Sequence, residues 1–245
     1  MSIELENQSV IPRLVQQIAD LPADWHAAGT VSSSVLDAIV RHTQNQQVCH
    51  SLETGAGKTT LLFSHLSGDH KVFAKENENR SITVVLKSPL LRSETVEFIE
   101  GPTQLTLPRY DFHPEQKLQV ALLDGPHGYP FPDLEYYYVY PHLDTGALLI
   151  VDDIQIPTIN RMFEFLREDA MFEFLEVVGN TGFLRRTDAP VFAPLGDGWW
   201  TQNFNTSRMA AAAKPSKTQQ MRSLIGQALP VPVKRTLKRL IQDRS

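Results

Sequence analysis

The segment ETGAGKTT, Glu53 to Thr60, decides the fold, because it admits two readings that need different ligands. Read as a phosphate loop, G-x-x-x-x-G-K-T, it would cradle a nucleoside triphosphate on the N–H groups at a helix start. LLIVDD, Leu148 to Asp153, would then be the acidic strand that such ATPases also carry. The first glycine of that loop falls on position 52, and this chain has Leu52 there. Glu53 follows directly, and its carboxylate repels the phosphates that the backbone is meant to hold. The phosphate-loop motif therefore fails at a fixed position. What remains is a Gly-x-Gly turn between a strand and a helix, which lets a ligand approach the backbone closely.

Outward from this turn the chain alternates between strand and helix patterns. QVCHSLE (47–53), KVFAKE (71–76), VEFIEG (96–101), LQVALLDG (118–125) and GALLIVDD (146–153) read as strands. The nearly unbroken apolar runs in the last two suit strands covered on both faces of a parallel sheet. KTTLLFSHL (58–66), PDLEYYYVYPHL (132–143) and TINRMFEFLRED (158–169) read as helices, and 78–91 as helix or irregular chain. FEFLEVVGNTGFLRRTD (172–188) reads as two strands around a Gly-Asn turn. Two helices, 10–21 and 32–42, precede all of this. The expected fold is an α/β, Rossmann-like three-layer sandwich. Its sheet is mostly parallel and seven-stranded, with a C-terminal antiparallel hairpin and an N-terminal helical extension. The expected organisation is a helical cap over 1–45, a ligand-binding domain over 46–206 and a basic tail over 207–245.

In such a sheet, ligands sit at the carboxyl ends of strands, where strand order reverses. The polar residues of this chain gather there. Glu53, Gly55, Ala56 and Gly57 end the first strand, and Glu76 ends the second, about twenty residues on, where an acid can take both hydroxyls of a ribose. Glu100, Gly101 and Thr103 follow the third strand, Asp124 and His127 the fourth, and Asp152 and Asp153 the fifth. A nicotinamide dinucleotide is one candidate ligand, although Thr60 stands at the third fingerprint position in place of Gly or Ala.

The set E-x-G-x-G-x-T, then D-G-x-H-x-Y from Asp124, then a glycine and LLIVDD, resembles class I S-adenosylmethionine-dependent methyltransferases. More narrowly, it resembles the small-molecule O-methyltransferases that act on sugars and antibiotic precursors, over roughly residues 30 to 190. The resemblance implies that Glu53, Gly55, Ala56 and Gly57 surround the methionine part of the cofactor. It implies that Glu76 holds the ribose, and that Glu100, Gly101 and Thr103 flank the adenine, with Asp124 beside them. It further implies that Asp124, Asp152 and Asp153 hold a divalent ion such as Mg²⁺, with the aspartates also serving catalysis. His127 is the candidate base, since an imidazole titrates near neutral pH. Lys58 departs from the small or polar residue of the pattern and is expected to point into solvent.

Composition limits the alternatives. Of the chain's 23 basic and 28 acidic residues, nine basic and one acidic residue fall in 208–245. An acidic body is poor material for a nucleic-acid enzyme. Val233, Leu237, Leu240 and Ile241 in the tail fall on one helical face, so the tail is a candidate contact for a membrane surface, a partner protein or the chain's own body. The single cysteine, Cys49, excludes an internal disulfide and is expected to pack inertly in a buried strand. No secretory pattern opens the sequence and no stretch is apolar enough to span a bilayer, so a cytoplasmic protein is expected. A homodimer is compatible with all of this. Trp199 and Trp200 are candidates for an acceptor pocket or for cover of a sheet edge, and Trp25 and His26 for packing. A phosphate-loop ATPase, a non-catalytic nucleoside-binding scaffold and an iron-dependent hydroxylase using His127 stay open beside the methyltransferase reading.

Overall fold

The computed structural model describes residues 2–22, 25, 31–76 and 80–213. His26 and the amphipathic stretch of the tail lie outside the described residues. The chain forms two compact units, Met1–Gly198 and one that begins at Trp199. The first opens with helices α1 (Ser2–Ala19) and α2 (Ser33–Thr43) and continues with β1 (Val48–Thr54), α3 (Lys58–Leu66), β2 (Ser67–Ala74) and α4 (Ser81–Leu86). Then come β3 (Val96–Glu100), α5 (Thr103–Thr106), β4 (Leu118–Leu123), α6 (Phe131–Val139), β5 (Leu143–Val151) and α7 (Pro157–Glu168). The hairpin β6 (Phe172–Val178) and β7 (Thr181–Arg186) closes it. In the second unit Trp199 and Trp200 pack edge-on, ring centres 5.9 Å apart, ahead of helix α8 (Asn203–Ala213).

The seven strands form one sheet in the order β3-β2-β1-β4-β5-β7-β6. Pairing is parallel from β3 through β5 and antiparallel for β5–β7 and β7–β6. The chain runs outward from β1 to β3, then returns to lay β4 against the other side of β1. That reversal opens a crevice at the carboxyl ends of β1 and β4.

Apolar side chains leave both faces of the sheet, as continuous apolar strands require. Val120, Leu122, Leu148 and Ile150 join Leu36 and Ile39 of α2 and Leu61 to Phe63 of α3 in one core. Ala121, Leu123, Leu149 and Val151 join Val139, Ile159, Phe163 and Leu166 of α6 and α7 in the other. The N-terminal helices share the first core, through Leu14, Val15 and Ile18 of α1. Arg185 ties α2 to the sheet, donating to the carbonyls of His42 and Gly146 at 3.0 Å each.

Two expectations change. β2 begins at Ser67, directly after α3, because the polar segment Ser67–His70 extends the parallel ladder beside β1. Its imidazole is accommodated indoors, with His70 Nδ1 2.7 Å from Ser51 Oγ. Among the described residues of 78–91, Ser81–Leu86 is helical, within the expectation of helix or irregular chain. Cys49 is exposed, not buried. The β1–β4 ladder starts only at Ser51, and before it the Gln119 side-chain carbonyl takes the N–H groups of Cys49 and His50. Cys49 therefore lies on a rim of β1 outside both cores.

The hairpin sits on α7 through a missing side chain. A Cβ on Gly182 would come 2.3 Å from Cε2 of the buried Phe163 ring. Gly182→Ala is expected to destabilise the protein by about 1–3 kcal/mol through overpacking. Urea unfolding measures this, and an unchanged midpoint would mean that the ring yields.

Candidate active site

A cavity of about 470 Å³ opens at the strand-order reversal. Its wall draws Gly55 to Thr59 from the first turn, Thr103 and its neighbours from the third, Asp124 to His127 from the fourth, and Asp152 and Asp153 from the fifth. Gly55 holds the turn in the left-handed region, φ +91°, while its N–H donates to the Phe73 carbonyl at 2.9 Å. A Cβ there would stand 2.6 Å from the Asp124 carbonyl oxygen, so only glycine lets the ends of β1 and β4 meet. Gly101, φ +144°, plays the matching part beside β2, donating to the Ala74 carbonyl at 2.9 Å.

The sequence-expected cofactor residues divide. Gly55, Ala56, Gly57, Thr103 and Asp124 lie on the cavity wall, whereas Glu53, Glu76, Glu100 and Gly101 lie off it. Glu53 is 1% exposed and turns inward. Its carboxylate takes the hydroxyls of Thr59, at 2.7 Å, and Thr60, and His70 Nε2 lies 3.2 Å away. It braces the start of α3 from behind and is not on the wall. Glu76 sits just past β2, where one carboxylate oxygen accepts from the N–H of Thr83 at 3.0 Å and from its hydroxyl at 3.2 Å. The other oxygen is buried and has no hydrogen-bond partner among the described residues. Lys58, expected in solvent, is 8% exposed and lies on the cavity wall.

At the strand ends opposite, the expected three-aspartate group rearranges. Among the described residues, Asp124, His127 and Asp153 form the group that could hold a cation, their donor atoms within 4.8 Å of one another. His127 Nε2 stands 3.4 Å from Asp153 Oδ2 and 3.8 Å from Asp124 Oδ1. Asp152 is drawn away because its Oδ1 accepts from the Thr181 hydroxyl on β7. Asp153 turns in the left-handed region, φ +55°, which aspartate tolerates better than most residues, and Gln155 Nε2 donates to its Oδ1 at 2.7 Å. Burial at the foot of the cavity pushes the Asp124 carboxyl up to about 7, against the pull of the facing His127 and with the push of Asp152 and Asp153. The Asp124 carboxylate in turn raises the His127 imidazole, more than burial lowers it.

A further acid escaped the sequence reading. Glu135 of α6 is buried behind the fourth strand end, where Thr54 Oγ1 donates to its Oε2 at 2.8 Å. A Cβ on Gly125 would fall 1.8 Å from its Oε1, so that glycine makes room for the carboxylate. Burial pushes Glu135 up to about 7, with the Thr103 and Thr54 hydroxyls pulling it down. Its place in a tyrosine-rich helix gave no cue. The glycine of D-G-x-H was the one available signal.

No family model matches this sequence, and no curated protein matches it. Solved structures do match. The O-methyltransferase TomG from Streptomyces achromogenes, in complex with S-adenosylmethionine, is 14% identical at a TM-score of 0.54, over 76% of this chain and 96% of its own. An O-methyltransferase from Bacillus cereus in complex with S-adenosylhomocysteine is 16% identical at 0.51, over 76% and 98%. The S-adenosylhomocysteine-bound methyltransferase PaMTH1 of Podospora anserina is 12% identical at 0.52, over 74% and 88%. At these identities the likeness establishes the fold: an α/β, Rossmann-like sheet of the methyltransferase kind, as the sequence led one to expect.

Glu135 gives a test of the wall's electrostatics. A carboxyl raised from 4.5 to about 7 holds its proton more tightly folded than unfolded. Its contribution to stability is full below pH 4.5 and is lost as pH rises through 7. Glu135→Gln keeps the acceptor for Thr54 and removes the titration. The variant is expected to gain on the wild type between pH 5 and pH 8 by up to about 3 kcal/mol, read from urea unfolding at both pH values. An equal gap at the two pH values would mean that the carboxyl titrates normally.

Proposed function

We propose that this chain, built on the fold of the class I methyltransferases, transfers a methyl group from S-adenosylmethionine to a hydroxyl of a small molecule. The observation that carries this reading is the single cavity that joins the Gly55 turn to the Asp124–His127–Asp153 group. Sugars, glycan precursors and hydroxylated secondary metabolites are the acceptor class in view. Two of the structural neighbours are O-methyltransferases, which supports oxygen as the atom that accepts the methyl group.

The residues present fit the cofactor. The unpartnered Glu76 oxygen is an acceptor held ready for a ribose hydroxyl, and the glycine turn admits a ligand against the backbone. S-adenosylmethionine supplies a methyl group already activated on sulfur. What remains for the protein is to align an acceptor oxygen with it and to take a proton. His127 is placed for the second task. As neutral imidazole it accepts the hydroxyl proton, and Asp124 and Asp153 then stabilise the imidazolium from either side.

The same three side chains fit a divalent cation such as Mg²⁺ through two carboxylates and an imidazole. Bound there, such an ion would lower the pKa of an acceptor hydroxyl. His127 would then act as a ligand, leaving Asp152, held by the Thr181 hydroxyl, as the wall carboxylate outside the ion's ligands. A hydroxylase reading would use the same ligands but would give the glycine turn no task.

Calorimetric titration with S-adenosylhomocysteine and, separately, with ATP and Mg²⁺ tests the reading. Micromolar binding of the first alone is expected, and binding of ATP alone would overturn it. Glu76→Ala should weaken S-adenosylhomocysteine about tenfold or more, the worth of one charge-assisted hydrogen bond. An unchanged affinity would remove Glu76 from the ribose. Asp153→Ala should abolish any stimulation of methyl transfer by divalent ions. Activity insensitive to chelators in the wild type would leave His127 as a base working without metal.

A further inference from the structure

Methyl transfer in the first unit leaves the second unit, which begins at Trp199, without a task. None of residues 199–211 is buried. Trp199 and Trp200 are 43% and 60% exposed, packed edge-on against each other, and Met209 of α8 is 55% exposed. An indole joins an apolar body to a single N–H donor, which suits it to the boundary between hydrocarbon and water. From Arg208 onward the sequence carries nine basic residues against one acidic, Asp243, a net charge of +8. Four of those cations, Lys234, Arg235, Lys238 and Arg239, fall within six positions. On a helical period they flank and oppose the apolar stripe Val233, Leu237, Leu240 and Ile241.

A partner that answers all of these features is anionic at its surface and apolar just beneath. A nucleic acid offers the phosphates but no apolar layer for an aliphatic stripe. The acids of the first unit are a poorer match. Glu94, Glu97, Asp133, Glu164 and Glu176 already hold a lysine or arginine of that unit. A bilayer with anionic headgroups offers both properties. One short amphipathic segment holds a bilayer only weakly, and stable attachment takes a second signal. The exposed tryptophan pair supplies it.

We propose that the second unit binds the surface of an anionic lipid bilayer. Trp199 and Trp200 enter the headgroup boundary, the stripe from Val233 to Ile241 lies against the acyl chains, and the cations on its flanks meet the headgroups. This attachment is peripheral, and it stands whether or not the first unit transfers methyl groups.

The test is co-sedimentation of the full chain with vesicles of phosphatidylcholine alone and of phosphatidylcholine mixed with phosphatidylserine. Binding is expected to the second kind only, and it should fall as salt screens the headgroups. A variant with Lys234, Arg235, Lys238 and Arg239 all changed to Gln should bind about a hundredfold or more weakly, since each cation near such a surface contributes about fivefold. Lipids brominated in their acyl chains should quench the tryptophan fluorescence of the wild type. They should leave that of Trp199→Ala/Trp200→Ala unchanged, because its remaining Trp25 packs against the core of the first unit. No binding to phosphatidylserine vesicles, or equal binding to both kinds, overturns the proposal. Binding without quenching, or binding that Leu237→Gln/Leu240→Gln leaves intact, reduces the contact to attraction between opposite charges and overturns it as well. A tighter hold on duplex DNA than on the vesicles at the same salt assigns the cations to a nucleic acid instead.

Discussion

The hydroxyl of Thr54 is the joint on which the site depends. It accepts the Asp124 N–H at 2.9 Å and donates to Glu135 Oε2 at 2.8 Å, so one oxygen links the ends of β1 and β4 to helix α6. Those two strands are neighbours in space but far apart in sequence. No local turn can fix the distance between their ends. Thr54 fixes it, and the bare Cα of Gly55 against the Asp124 carbonyl sets how small it is. Everything the cavity does with Asp124 and His127 follows from that spacing.

The two halves of the site are supported differently. The glycine side rests on a buried polar brace, in which Glu53 gathers Thr59, Thr60 and the neighbourhood of His70 beneath the turn. The acidic side is loaded with like charges, relieved by one imidazole and by the hydroxyl of Thr181. Such a concentration of carboxylates raises their affinity for protons or for a cation. The rigid half therefore suits holding a ligand, and the electrostatically loaded half suits moving a proton.

Much of this was legible in the sequence, and the parts that were not share a cause. Apolar runs such as LQVALL and GALLIV reveal strands because burial on both faces leaves no other composition. The glycine turn and Asp152–Asp153 were readable because they end such runs. Lys58 was misplaced because a helix pattern gives the period of its side chains but not which way the first of them faces. Glu53 was assigned to the ligand because a motif gives the residue and not its rotamer. The polar start of β2 and the exposed rim at Cys49 were hidden because they depend on ladder register, which Gln119 interrupts from a strand 70 positions away. Glu135 was invisible because a buried acid in an aromatic helix has no pattern of its own.

One feature reaches beyond the single molecule. The Glu135 carboxylate occupies the place that a side chain at position 125 would fill. Position 125 cannot gain a side chain while Glu135 keeps its place. A larger residue at 125 requires a shorter one at 135, and an apolar replacement at 135 strands the Thr54 hydroxyl. In evolutionary terms the two positions are sterically coupled, and a lineage that enlarges 125 is expected to shorten 135 as well. Among sequences as divergent as the structural neighbours of this chain, such a pair would trace common descent where overall identity no longer does.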